Sequence, residues 1–399
     1  MGFVGKKLKV LIADDSVVYR SQLRSAAAML EYVDVVGVAA NGRLAVEKLA
    51  QTSADLLILD LEMPEMNGLQ TLEEIRRLGL QVKVLLFSSH SKRGAEITMD
   101  ALRAGASDFV TKPGSEGAGS GNLEKIASDP AKRILELIQP KIEALFPSVL
   151  NGGAVPAPTK MPAKPQASTG QGASTPSAAK VYPSLIWETV RPRVLVIGSS
   201  TGGPNALEKL FSALRPPYSV PILITQHMPA VFTATFAERL GKLLGAGKTV
   251  EEVREGRDGE VLLPNRIYVA PGDYHMTLKA EGESVRIALD QGPPQNFVRP
   301  AVDPLFQSAA AIYRSGCMGI VLTGMGADGR IGSVAIKDAG GSVLIQNRDS
   351  CVVYGMPGAV EAAGAFDLTA DLEEIARVVS KKISLESEMG MPKQKLAGS

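Results

Sequence analysis

The sequence predicts two doubly wound, mainly parallel α/β domains joined by a flexible tether. Three observations carry this reading. The chain has 399 residues, too many for one ordinary core. Apolar runs of strand length alternate with amphipathic stretches of helix length in both halves, the pattern of βαβ units. Between the halves, from 147 to 188, the composition turns to Pro, Ala, Gly, Ser and Thr. Such a segment buries too little apolar surface to offset the entropy of ordering it.

In the first half, LKVLIAD (Leu8–Asp14) reads as a buried strand. VDVVGVAA, DLLILDL, VKVLLFS and DFVTKP follow at regular intervals. RSQLRSAAAML, RLAVEKLAQ and LQTLEEIRRL between them have helical periodicity, so residues 7–127 are expected to form one domain. After the tether, residues 189–383 repeat the logic. RVLVIGSS, VPILITQH, NRIYVAPG, GCMGIVLTGMG and GSVLIQN read as strands; GPNALEKLFSAL, FTATFAERLGKLL and DGRIGSVAIKDAG read as helices. YHMTLKAEGESVRIAL alternates about a glycine-containing turn, as an antiparallel hairpin does. Residues 384–399 read as a frayed polar tail.

Composition narrows the function. A net charge of +1 offers no footprint for nucleic acid or an anionic membrane. Two cysteines, Cys317 and Cys351, suit a reducing compartment and supply no disulfide framework or zinc cluster. The N-terminus lacks the pattern of a secretory signal, and no apolar run is long enough to span a bilayer. The expectation is a soluble, cytoplasmic protein that neither inserts in membranes nor binds nucleic acid.

Strand ends carry the chemistry, because in a parallel sheet they converge on one edge. In the first domain that edge collects Asp14, Asp15, Asp60, Ser88 and Lys112. Crowded carboxylates repel unless a cation joins them, and hard oxygen ligands of this kind suit Mg²⁺. Lys112 then neutralises one oxygen of a phosphoryl group, and the Ser88 hydroxyl hydrogen-bonds another. The order DD, LDLEMPEMNG, SS, TKP over Leu8 to about Gly114 resembles the receiver domain of bacterial response regulators, a flavodoxin-like fold. The resemblance implies that Asp60 accepts a phosphoryl group from a histidine kinase. It also implies Mg²⁺ held by Asp15, Asp60 and the Glu62 backbone carbonyl, with help from Asp14. The run GSEGAGSGN after Pro113 departs from the pattern and reads as a flexible insertion.

In the second domain, GSSTG satisfies G-x-S-x-G around Ser200, a turn that lifts a serine above a sheet edge. Alone it leaves other readings open. A polar loop is one; a phosphate-binding glycine loop is another, although Ser200 takes the place of the second glycine of G-x-G-x-x-G. Histidine changes the balance. His227 closes PILITQH, and Asp328 lies in the glycine-rich loop after GIVLTGMG. A hydroxyl needs an imidazole as base, and the imidazole needs a carboxylate to fix its tautomer. The order Ser…His…Asp differs from that of ordinary α/β-hydrolases.

IGSSTGGP, ITQHMP, APGDYHM and LTGMGADG together resemble the Rossmann-like catalytic domain of chemotaxis protein-glutamate methylesterases, and the receiver in front completes that architecture. The resemblance implies Ser200 as nucleophile, His227 as general base, Asp328 as orienting acid and the Met325 N–H in the oxyanion hole. It implies hydrolysis of glutamate methyl esters on chemoreceptors, deamidation of receptor glutamines, a kinase phosphodonor, no cofactor in the esterase domain, and a receiver that covers the active site until phosphorylated. A general serine esterase and a non-catalytic regulator are the alternatives. Thr201, His275 and Arg299 are candidate substrate contacts. NFVRP carries Phe297 and Val298 where family members often have polar or basic residues.

Overall fold

The fold is that of a computed structural model, which describes residues 6–113, 129–150, 190–245 and 249–385. The tether over 151–188, the insertion 114–122 and the tail from 386 lie outside the described residues. The chain divides into two compact units, 1–179 and 180–399.

The first unit runs β1 (Leu8–Ala13), α1 (Val17–Ala28), β2 (Val33–Ala39), α2 (Gly42–Thr52), β3 (Leu56–Asp60), α3 (Gly68–Arg77), β4 (Lys83–Ser88), α4 (Lys92–Ala104), β5 (Asp108–Thr111), α5 (Pro130–Leu145) and α6 (Pro147–Leu150). Its sheet has the order β2-β1-β3-β4-β5 and is parallel throughout. β3 is buried at every position, as a parallel strand covered on both faces must be. The helix expected from Arg20 begins instead at Val17, because the Ser16 side chain accepts from the Tyr19 N–H and caps it.

Two boundaries differ from the sequence expectation. A domain ending at 127 omits α5, whose Ile134, Ile138 and Ile142 are fully buried. Lys141 pairs with Asp108 at 2.7 Å, the Tyr32 hydroxyl donates to Glu143 at 3.0 Å, and Lys83 Nζ donates to Leu145 O at 2.5 Å. The amphipathic stripe is interrupted by Pro140 and preceded by polar sequence, which hid it. The segment from 147 also begins as the helical turn α6, with Val149 buried.

The second unit runs β6 (Val194–Ser199), α7 (Gly203–Ala213), β7 (Ile222–Gln226), α8 (Ala230–Leu244), β8 (Glu252–Glu255), β9 (Arg266–Val269), β10 (His275–Glu281), β11 (Ser284–Asp290), α9 (Val302–Tyr313), β12 (Cys317–Val321), α10 (Arg330–Asp338), β13 (Ser342–Gln346), α11 (Met356–Ala362), β14 (Leu368–Ala370) and α12 (Leu372–Ile383). Seven strands pair in parallel in the order β14-β13-β12-β6-β7-β9-β8. β10 and β11 form the expected antiparallel hairpin. From β6 the chain fills one side of the sheet, with β9 inserted between β7 and the edge strand β8, and from β12 it fills the other. The crevice between their carboxyl ends is therefore a topological switch point, where open α/β sheets hold ligands. Leu305, Phe306 and Ala309 of α9 pack with Val194, Val196 and Cys317 in the core beneath it. Ser384 and Leu385 do not belong to the tail: Ser384 bridges to Tyr218, and the Leu385 N–H donates to Pro217 O at 3.0 Å.

Candidate functional site

In the first unit, β1 pairs with β3 so that Ala13 stands opposite Leu59. The next residues, Asp14 and Asp60, emerge side by side at the strand ends, both buried. Lys112 Nζ sits between them, 3.0 Å from Asp14 Oδ2 and 2.8 Å from Asp60 Oδ2. Apart from that ion pair, Asp14 Oδ2 makes no hydrogen bond. One carboxylate oxygen each of Asp14, Asp15 and Asp60 lies within 4.8 Å of the others. Burial pushes Asp60 up to about 6 against the pull of Lys112, and burial raises Asp14 as well. Burial works against the Lys112 ammonium, but Asp60 and Asp14 outweigh it and hold its pKa above the usual lysine value. Three converging hard oxygens fit a small divalent cation. Ser88 ends β4, and its Oγ accepts from Thr98 Oγ1 of α4 at 2.7 Å. The Glu62 N–H reaches Asp60 Oδ1 at 3.4 Å.

In the second unit, β6 delivers Ser200 and β7 delivers His227. A buried amide ties the two strand ends together. Gln226 Oε1 accepts from Ser199 Oγ at 2.6 Å, and Gln226 Nε2 donates to Ser200 O at 3.0 Å. The Ser200 N–H donates to Thr323 O at 3.0 Å, and the His227 N–H to Ser199 O at 3.1 Å. Ser200, at the turn above the sheet edge, is only 6% exposed. Gly203 leaves no room for a Cβ, which would fall on Gln226 Oε1.

His227 Nε2 lies 2.7 Å from Asp328 Oδ2. Asp328 is buried at the joint starts of α9 and α10. Its Oδ2 also accepts the Val302 N–H at 2.6 Å, and its Oδ1 accepts the N–H groups of Asp303 and Gly329 at 3.0 Å each. Asn296 Nδ2 donates to Oδ1 at 3.0 Å and to Asp303 Oδ2 at 3.2 Å. Burial disfavours the Asp328 carboxylate, but His227 and the backbone donors outweigh it and keep its pKa below the usual value. Asp303, behind it, goes the other way: burial pushes it up to about 6 against the Gly332 N–H, and the charge of Asp328 adds to the rise. The Gly324 N–H is spent on Val353 O at 3.0 Å, whereas the partly exposed Met325 N–H makes no hydrogen bond to another described residue.

The candidate substrate contacts take other places. His275 is buried, with Nε2 3.1 Å from Pro293 O and Nδ1 accepting the Ala301 N–H at 3.3 Å. Both ring nitrogens are thus occupied by backbone, and the ring braces a loop. Arg299 pairs with Asp273 at 2.5 Å and donates to the carbonyls of Gln291 and Gly292 at 2.8 Å each. It clamps the same loop. Thr201 is 1% exposed, and its carbonyl accepts from Thr323 Oγ1 at 2.9 Å. Sequence reasoning missed Gln226, Asn296, Asp303 and Thr323. A polar residue closing the apolar run PILITQ was the one local sign of Gln226.

Fold and sites together define a class: a response regulator whose effector is a hydrolytic domain built on a parallel α/β sheet. Residues 10–119 match the response regulator receiver domain and residues 195–379 the CheB methylesterase domain. A protein-glutamate methylesterase/protein-glutamine glutaminase of Trichodesmium erythraeum is 38% identical over 377 residues, covering 94% of this chain and 99% of that protein. One of the same name from Thiobacillus denitrificans is 41% identical over 385 residues, covering 96% and 99%. The crystal structure of the Thermotoga maritima CheB methylesterase catalytic domain is 39% identical over 48% of this chain and 99% of its own, with a TM-score of 0.46. The chain belongs to the protein-glutamate methylesterase/protein-glutamine glutaminase family.

Proposed function

We propose that this protein hydrolyses glutamate methyl esters on chemoreceptors and deamidates receptor glutamines in chemotactic adaptation, and that phosphorylation of Asp60 by a histidine kinase raises its rate. The observation that carries the reading is the His227–Asp328 pair at 2.7 Å beside a serine at the neighbouring strand end. Asp328, held ionised by four donors besides the imidazole, takes the Nε2–H and leaves Nδ1 as the basic ring atom. Nδ1 accepts the Ser200 proton as Oγ attacks the ester carbonyl. The Met325 N–H donates to the oxyanion. Collapse expels methoxide, which takes the proton from Nδ1 and leaves as methanol. Water then attacks the acyl-enzyme, gives its proton to Nδ1, and the proton returns to Ser200 as glutamate is freed. With an amide substrate, ammonia leaves in place of methanol.

In the receiver, Asp14, Asp15, Asp60 and the Glu62 carbonyl would hold Mg²⁺, which offsets the charge of an incoming phosphoryl group. Asp60 is the acceptor. Lys112 pairs with a phosphoryl oxygen, and the Ser88 hydroxyl, which accepts from Thr98, donates its own hydrogen to another. Among the described residues no helix is long and apolar enough to cross a membrane, in keeping with a cytoplasmic enzyme acting on the cytoplasmic segments of receptors. Methanol release from receptor membranes carrying labelled methyl esters tests the reading. Release is expected, faster with a small-molecule phosphodonor, and absent in Ser200→Ala. A parent protein that releases no methanol overturns it.

A further inference from the structure

We propose that Phe297 is a specificity-determining contact, which packs against an apolar side chain of the receptor segment presenting the methyl ester. The inference rests on the methylesterase reading and adds a recognition element to that site.

Gln295 and Val298 close a two-residue turn with reciprocal backbone bonds of 3.1 and 3.0 Å. Its central residues, Asn296 and Phe297, have φ of 52° and 65°. Turns with positive φ at both centres favour Asn followed by Gly. Asn296 fits; Phe297 stands in the glycine's place. Its Cβ is strained there, and its ring is fully exposed at 102%. Folding disfavours this residue on both counts, and strain kept at a surface turn points to function.

The turn is held, not loose. Asn296 Nδ2 bonds the carboxylates of Asp328 and Asp303, and Arg299, directly after the turn, bonds Asp273 and two backbone carbonyls. The aromatic ring therefore projects one residue from a side chain bonded to the carboxylate that orients His227. Two more exposed apolar residues stand near the same site, one on a helix and one on a loop. Ile331, 48% exposed, lies in the first turn of α10, three positions after Asp328. Val352, 41% exposed, covers Gly202, where an added Cβ would come within 2.6 Å of it. Exposed apolar residues gathered around one site mark a binding surface. A methyl ester by itself is too small to need such a rim, so the rim reads the polypeptide around it. If that polypeptide is helical, an apolar neighbour one turn from the modified glutamate lies on the same face as the ester.

The experiment uses the full chain with a phosphodonor and two substrates: methylated receptor in membranes, and a small γ-methyl ester of N-acylated glutamate. In Phe297→Ala, the receptor KM is expected to rise, and the ratio of receptor to small-ester kcat/KM to fall about tenfold, as for loss of a central aromatic contact. Phe297→Leu is expected to restore most of that ratio. Phe297→Gly should show the same loss of ratio yet melt no lower than the parent, since glycine suits the turn. An unchanged ratio in Phe297→Ala overturns the proposal. So does a parallel fall on both substrates, which would make the ring a mere support for Asn296. A parent that hydrolyses neither substrate overturns the methylesterase reading and this proposal with it.

Discussion

The Asp328 carboxylate holds the His227 imidazole through Oδ2 at 2.7 Å while the same oxygen accepts the Val302 N–H at 2.6 Å. Asp328 is thus fixed by the first turn of α9, where backbone donors favour negative charge. Its ionisation and its geometry come from the same contacts.

Asp328→Asn is expected to keep a weak enzyme. An amide turned to offer its NH₂ forces the imidazole into the wrong tautomer, and the loss in kcat should be about 10⁴-fold. Steady-state kinetics on the small ester reads it. A variant within about threefold of the parent, well short of the losses known for triads, would remove Asp328 from the mechanism.

The neighbouring serines should separate cleanly. Ser200→Ala is expected to abolish methanol release with little change in the urea midpoint. Ser199→Ala keeps the nucleophile but leaves the buried Gln226 Oε1 without the bond it makes at 2.6 Å. That should cost about 1–3 kcal/mol of stability while activity persists. The reverse pattern would move the nucleophile to Ser199.

Gly324→Ala should act on the nucleophile through contact alone. A Cβ there meets Met356 Sδ and comes 2.8 Å from Ser200 Cβ. One side must shift, and a displacement near 1 Å costs about 10²-fold in rate. Circular dichroism should show a retained fold. Full activity would mean that Met356 alone gives way.

Asp303 should make stability fall as pH rises. Its carboxyl is pushed from the usual 3.8 up to about 6, so between these values the folded state keeps a proton that the unfolded chain has released. Stability from this group is present below about pH 4 and is lost as pH rises through about 6. Urea midpoints at pH 4.5 and 7 test it, and the drop between them should be smaller in Asp303→Asn than in the parent. Equal drops would place the titration elsewhere.

Labelling of Asp60 should depend on divalent cation. Asp14 and Asp60 share one ammonium, which is too little positive charge to admit a phosphoryl dianion as well. Chelation is expected to abolish labelling by a phosphodonor, Mg²⁺ to restore it, and Asp60→Asn to prevent it. Labelling that survives chelation would end the metal assignment.

The sequence by itself determined the five strands of the first sheet, five of the seven in the second, and the residues at their carboxyl ends; the short edge strands β8 and β14 carry too few apolar residues to be read. Alternating apolar runs set the parallel strands, and the polar residue after each run marks the converging edge. Asp14, Asp60, Ser200 and His227 were legible for that reason: Asp60 closes its strand, and the other three follow theirs directly. Tertiary structure alone decided what holds them. Asp328 meets Asn296 across 32 positions and Val302 across 26, and Gln226 meets Ser199 across 27. No local period records such pairs. For His275 and Arg299 the sequence left a structural role and a substrate contact both open. The folded loop supplies the backbone groups that their side chains bond. Phe297 shows the limit from the other side. Its residue type suggests a core, and only the backbone, turning it through a positive φ, puts the ring in water, next to the Asn296 side chain that bonds Asp328.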